Sequence, residues 1–108
     1  MPINSETKAR LEAQLADLEE RRKRTVRELA QPLSRDADEQ AVELEDDASL
    51  GAQAALIDRE IASVKRALLR IESGTYGECV RCGDTIDPKR LEARPEAALC
   101  FSCASQEQ

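Results

Sequence analysis

Four cysteines are the residues of this chain most suited to chemistry. They form two Cys-x-x-Cys pairs, Cys79 with Cys82 and Cys100 with Cys103, and seventeen residues separate the pairs. Two such pairs at this spacing are typical of a structural zinc site, in which four thiolates hold one Zn²⁺ tetrahedrally. Since four protein ligands leave no coordination position for water or substrate, we expect the metal to stabilise the fold and not to catalyse a reaction.

Two other interpretations of the cysteines stay open, a pair of disulfides and a zinc site that responds to oxidation. The N-terminus lacks the basic and apolar segments of a secretory signal. No run of about 18 apolar residues occurs that would span a membrane. We therefore expect a cytoplasmic protein with no membrane contact and with reduced thiols, which favours zinc over disulfides.

The composition indicates helices and a thin core. Only Tyr76 and Phe101 are aromatic among 108 residues, 35% of the residues are charged, and the apolar ones are mostly Ala and Leu. That mixture favours long helices over a sheet, and a protein with so small a core usually needs a metal or a disulfide to stabilise it. The chain has no histidine and no nucleophile–base pair, so we expect that it is not an enzyme.

Two long helices are predicted before the cysteines. The first runs from about Glu6, with Ser5 as its N-cap, to Gln31, and Pro32 ends it. The second runs from about Ala37 to Glu72, with Gly74 just beyond its end. The positions expected to face inward follow a heptad pattern typical of a coiled coil, weakened on the first helix by Arg22 and Thr25. They are Leu11, Leu15, Leu18, Arg22, Thr25 and Leu29 on the first helix, and Leu50, Ala54, Ile57, Ile61, Val64, Leu68 and Ile71 on the second.

The short connection between the helices predicts how they pair. About five residues join them, so the helices must fold back on each other. We expect a mainly α protein, with an antiparallel coiled-coil hairpin at residues 1–74, whose tip lies at about 32–41, and a zinc finger with a short tail at residues 75–108. Pairing between two chains is the alternative. The short connection favours pairing within one chain, and we expect a monomer.

Charge is concentrated in two segments of the hairpin. Residues 34–47 hold seven acids and one base, which accounts for the whole net charge of −6. Such a segment steers a protein towards a basic groove and is repelled by the phosphates of nucleic acid. A basic run, Arg21-Arg22-Lys23-Arg24 with Arg27, lies on the first helix. It is either a solvated face that balances Glu43, Glu45 and Asp46, or a surface that touches a partner.

The order of these parts resembles the DksA/TraR family of RNA polymerase-binding regulators. The residues that carry the resemblance are Tyr76-Gly77-Glu78-Cys79, Cys82-Gly83, Arg90-Leu91-Glu92-Ala93-Arg94-Pro95 and Leu99-Cys100. The likeness spans roughly residues 30 to 104. The Arg90–Pro95 run between the cysteine pairs makes it much more specific than four cysteines alone.

The resemblance implies that the hairpin enters the secondary channel of RNA polymerase and modulates initiation. The family's tip pattern falls on Asp36, Glu39 and Ala41, with Glu39 where Asp is usual and Asp38 as a competitor for the role. Family positions that bind the alarmone ppGpp are here Ser63 and Ala104, and only Arg94 remains basic. The resemblance therefore implies little dependence on ppGpp.

Two other functions remain as alternatives. Asp36 and Glu39 lie three residues apart and could hold a second Mg²⁺ for transcript cleavage, as the carboxylates of Gre factors do. The other alternative is a zinc-based nucleic-acid-binding module. A sequence pI near 4.8 and the lack of a basic patch in the finger disfavour it, and we expect no sequence-specific contact with nucleic acid.

Overall fold

Four helices make up the regular structure of the described chain. The computed structural model describes residues 2–29 and 37–106, with side chains for residues 5–29 and 49–106. The helices are α1 (Pro2–Leu29), α2 (Ala37–Ser73), α3 (Pro88–Ala93) and α4 (Phe101–Gln106). Within these residues the only β pairing is an isolated bridge between Glu78 and Thr85. The prediction of a mainly α protein with two long helices is confirmed.

α1 begins earlier than predicted. It starts at Pro2, so Ser5 lies inside the helix and is not its N-cap. Proline suits the first helical position, because its φ is already helical and its missing N–H would have had no partner there. The predicted helix stop at Pro32 and the turn around it lie outside the described residues.

α2 matches its predicted bounds, and its C-terminus is capped by backbone geometry. Gly74 has a φ of 79°, in the left-handed region that glycine adopts without strain. The amide of Gly74 donates to Ile71 O at 3.3 Å, and the amide of Thr75 donates to Arg70 O at 2.9 Å. This pair of hydrogen bonds is the Schellman motif, which satisfies carbonyls that would otherwise have no partner at the helix end.

The described chain divides into two compact units. One contains residues 1–15 and 62–108, and the other contains residues 16–61. The first part of α1 thus shares a unit with the last part of α2, as an antiparallel hairpin requires. In the unit of residues 16–61, Leu18, Thr25 and Ile61 are buried. In the other unit, Leu11, Val64 and Ala67 are fully buried.

Five of the thirteen predicted heptad positions are buried, seven are partly buried and one, Arg22, is exposed. Among the described side chains of α1, the buried ones are Leu11, Leu18 and Thr25, seven residues apart. Thr25 satisfies its hydroxyl within the helix by donating to Arg21 O at 3.0 Å. Arg22, predicted to face inward, is half exposed and instead reaches Asp58 on α2 at 2.5 Å. A guanidinium at the edge of the helix contact avoids the cost of burying a charge.

The basic run is partly paired with acids. Arg21 lies 3.5 Å from Asp17 on its own helix, and both side chains are more than half exposed. Arg27 donates from Nε to Lys23 O at 3.5 Å. The acids predicted to balance this run have side chains outside the described residues.

None of the described helices combines the length and apolar character that a membrane span requires.

Candidate metal centre

The first cysteine pair lies on a tight turn that two glycines make possible. Gly77 and Gly83, which flank the pair, have φ values of 90° and 79°. The amide of Cys79 donates to Asp84 O at 2.8 Å, and the amide of Gly83 donates back to Cys79 O at 2.9 Å. A side chain at either glycine would strain the turn, because only glycine adopts these φ values without cost.

The second pair lies at the start of α4 and is tied to the first by the backbone. Cys100 precedes the helix and Cys103 is within it. The amide of Ala104 donates to Cys100 O at 2.9 Å, which closes the turn. The amide of Val80, inside the first pair, donates to Ala98 O at 2.9 Å, just before the second pair. The backbone therefore holds the two turns face to face.

The four thiols form a compact set with the dimensions of a zinc site. Their Sγ atoms all lie within 4.8 Å of one another. The Sγ atoms of Cys82 and Cys100 are 3.7 Å apart. A tetrahedron with Zn–S bonds of ~2.3 Å has edges of about 3.8 Å. The donor set fits Zn²⁺ in both chemistry and spacing, and one structural zinc ion is its cofactor.

The thiols of Cys79 and Cys103 differ in how readily they lose a proton. Backbone hydrogen bonds from Cys100 and Cys82 lower the pKa of Cys79 to about 6. Hydrogen bonding to the Cys100 thiol and burial raise the pKa of Cys103 to about 12. At neutral pH the metal-free site therefore keeps protons that Zn²⁺ must displace. It follows that zinc affinity falls as the pH is lowered.

A small apolar core lies beside the metal site. Cys79, Ile86 and Cys103 are buried together, with Leu91, Leu99 and Cys100 packed against them. Tyr76 lies outside this cluster. It is half buried and donates its hydroxyl to Pro95 O at 2.8 Å.

The helix α3 was not predicted from the sequence. The Asp87 side chain accepts a hydrogen bond from the amide of Lys89 at 2.9 Å and caps the helix, and Pro88 occupies the first turn. Asp followed by Pro is a recognised helix start. The signal was therefore present in the sequence.

The segment between the two cysteine pairs also contacts both long helices. We call residues 92–97 the brace. From α1, Arg10 Nη2 donates to Glu92 O at 2.9 Å, and Gln14 Nε2 lies 3.5 Å from Glu96 Oε2. From α2, Arg70 Nη2 lies 3.4 Å from Glu96 O. All of these residues belong to the unit of residues 1–15 and 62–108. These contacts join residues up to 82 positions apart, and no local pattern predicts them.

The predicted tip residues are only partly described. Asp36 lies outside the described residues, as does most of the predicted turn. Glu39 and Ala41 fall in the first turns of α2, and their side chains are not among those described. Their assignment to a partner surface stays a prediction.

Comparisons with known proteins agree with the zinc site. Residues 74–108 match the family described as the prokaryotic dksA/traR C4-type zinc finger. The RNA polymerase-binding transcription factor DksA of Escherichia coli K12 is 43% identical over 49 residues, which are 43% of this chain and 32% of that protein. The DksA of Haemophilus influenzae is 39% identical over 49 residues, 43% of this chain and 34% of that protein. The matched part is thus about a third of the length of these relatives.

A solved structure extends the similarity to the helices. The transcription factor DksA2 from Pseudomonas aeruginosa superposes with a TM-score of 0.83 and 26% sequence identity, over 96% of this chain and 81% of that one. Fold and site together define a mainly helical protein with a four-cysteine zinc finger. The finger of this chain matches the dksA/traR C4-type zinc finger, and its helices and finger together have a fold similar to that of DksA2.

Proposed function

We propose that this chain is a transcription regulator that binds RNA polymerase and modulates initiation. The observation that carries the proposal is the extent of the fold similarity. DksA2 matches 96% of this chain, including both long helices, and not the zinc finger alone. The relatives that match the finger are RNA polymerase-binding transcription factors by name. Because bacterial RNA polymerase works in the cytoplasm, the proposal assigns the chain to that compartment.

The acidic turn between the helices is the part proposed to act. The hairpin of residues 1–74 enters the secondary channel with Asp36, Glu39 and Ala41 at its tip, while the finger of residues 75–108 stabilises the other end of the hairpin. Carboxylates brought into a narrow channel engage basic side chains or disturb metal-bound substrate. In this role the chain works as a single copy, without an active site of its own and without reading a DNA sequence.

We further propose that regulation depends little on ppGpp. Ser63 and Ala104 offer no positive charge to a phosphate. Arg94 is basic and its side chain is 70% exposed, but its Nε lies 3.6 Å from Glu96 Oε1. A carboxylate beside the guanidinium competes with an incoming phosphate. Both features disfavour an alarmone site at these positions.

Co-purification with core RNA polymerase tests the proposal. The zinc-loaded chain should be retained by the polymerase, and excess naked duplex DNA should not release it. Retention by DNA alone, in a band shift without polymerase, would support the zinc-based nucleic-acid-binding alternative. Stalled elongation complexes should be left with transcripts of unchanged length. Shortened transcripts would support the Gre-like alternative instead.

A further inference from the structure

The brace belongs to a longer loop that has a predicted metal ligand at each end. It lies between Cys82 and Cys100, whose Sγ atoms are 3.7 Å apart. Zinc bound to both cysteines closes the loop that contains the brace and lowers the entropy that this loop would otherwise lose on becoming ordered. Without that closure, fixing the backbone of each brace residue costs more free energy than a single weak hydrogen bond returns. Zinc therefore contributes to the order of the brace, in addition to the Tyr76 hydroxyl that donates to Pro95 O at 2.8 Å.

Side chains of both long helices depend in turn on the brace. The Arg10 guanidinium of α1 donates to Glu92 O at 2.9 Å, the shortest contact from α1 to the brace among the described residues. The Arg70 guanidinium of α2 lies between two brace carbonyls, 3.4 Å from Glu96 O and 3.5 Å from Ala97 O. Its Nε is buried and has no hydrogen-bond partner among the described residues. The guanidinium groups of Arg10 and Arg70 therefore have these carbonyls as hydrogen-bond acceptors only when the brace is ordered.

The N-terminal segment of α1 buries little apolar surface in this unit. Leu11 is the only side chain between residues 5 and 15 that is fully buried. One buried leucine every two turns is a weak anchor for a helix segment, since most helical stability comes from a packed apolar face. Polar contacts from Arg10 and Gln14 to the brace flank Leu11 on either side.

We propose that zinc binding and the docking of the N-terminal half of α1 are thermodynamically coupled through the brace, with Arg10 and Arg70 as the positioning residues. The device is built into the fold and does not require RNA polymerase. Zinc orders the brace, and the ordered brace holds residues 5–15 of α1. Because coupling between two sites is reciprocal, the factor by which zinc strengthens the docking of α1 on the brace is also the factor by which docking strengthens zinc binding. A substitution that removes the contact of α1 with the brace therefore loses that gain in zinc affinity.

The test uses the full chain and the substitution Arg10→Met. This change removes the hydrogen bond to Glu92 O but keeps a long side chain on an exposed face of the helix. Lys8→Met is the matched control, since Lys8 is also exposed on α1 and, among the described residues, makes no hydrogen bond or ion pair with the brace. Zinc affinity is measured by competition with a chelator. Backbone hydrogen exchange of residues 5–15 is measured with zinc and after chelation.

The coupling predicts a specific pattern of results. Arg10→Met should weaken zinc binding by about fivefold, and Lys8→Met should leave it unchanged. Chelation should speed exchange in residues 5–15 of the wild type, and the difference between wild type and Arg10→Met should vanish in the metal-free state. Arg70→Met, with exposed Arg66→Met as its control, should repeat the loss of zinc affinity. Equal zinc affinity for Arg10→Met and Lys8→Met would overturn the proposal. A rate of hydrogen exchange in residues 5–15 that does not change on chelation would overturn it as well.

Discussion

Cys82 is exposed, whereas Cys79 and Cys103 are buried in the small core of the finger. Exposure alone would class Cys82 as a residue that tolerates substitution, but its Sγ completes the set of four thiols. At the scale of single residues, spacing was the better guide, because two Cys-x-x-Cys pairs identify all four ligands whatever their burial. Contacts such as that of Arg10 with Glu92 could not be predicted, since they depend on how distant segments pack.

We predict that Cys82→Ser weakens zinc binding by at least about 100-fold, because the hydroxyl replaces one of four thiolates. Ser102→Ala is the control. Ser102 is also exposed and lies within the second cysteine pair, so its substitution should change the free energy of unfolding by less than about 0.5 kcal/mol. Competition with a chelator gives the zinc affinity. Equal affinities for the two variants would contradict the assignment of Cys82 as a ligand.

At the scale of elements, long periodic patterns were reliable and short helices were not. The heptad pattern and Gly74 gave the end of α2 to within a residue, because many side chains and a backbone cap agree there. α3 and α4 have six residues each, too few for a periodic pattern to emerge. Their stability comes from the packing of Leu91 and Cys103 in the finger. Gly51 lies within a continuous α2.

Gly51 and Gly74 provide a matched pair of substitutions. A Cβ would meet no atom within 4 Å at either position, but only Gly74 has a positive φ. Gly51→Ala should stabilise the zinc-loaded protein by about 0.5–1 kcal/mol, because alanine loses less backbone entropy in a helix. Gly74→Ala should destabilise it by about 1 kcal/mol, because alanine is strained in the left-handed region. Chemical denaturation measures both, and a loss of stability in Gly51→Ala would contradict an uninterrupted α2.

At the scale of the whole molecule, sequence and structure indicate the same family likeness, but only the structure shows how the finger is joined to the helices. The order of helix, acidic turn, helix and finger was sufficient to identify the DksA/TraR likeness, which the fold similarity to DksA2 supports over 96% of the chain. The sequence could not reveal that the finger is joined to the ends of both helices in one unit. The Arg90–Pro95 run that marked the family contributes to that joining through the brace.

The acidic tip is the part of the chain to which the proposed function assigns regulation. Residues 34–47 carry the entire net charge of the chain, so loss of regulation could reflect a change in net charge and not the loss of two particular carboxylates. A control must therefore remove two acids of the same segment elsewhere. Asp36→Asn with Glu39→Gln alters the proposed tip, and Glu45→Gln with Asp46→Asn makes the same change in charge a few residues away.

The lifetime of polymerase–promoter open complexes is the most direct measurement. The wild type and the Glu45→Gln, Asp46→Asn control should shorten this lifetime at a sensitive promoter. The Asp36→Asn, Glu39→Gln variant should still co-purify with core RNA polymerase. In its presence the open-complex lifetime should equal the lifetime measured without any added factor. If that variant shortens the lifetime as the wild type does, the acidic tip is not the part that regulates.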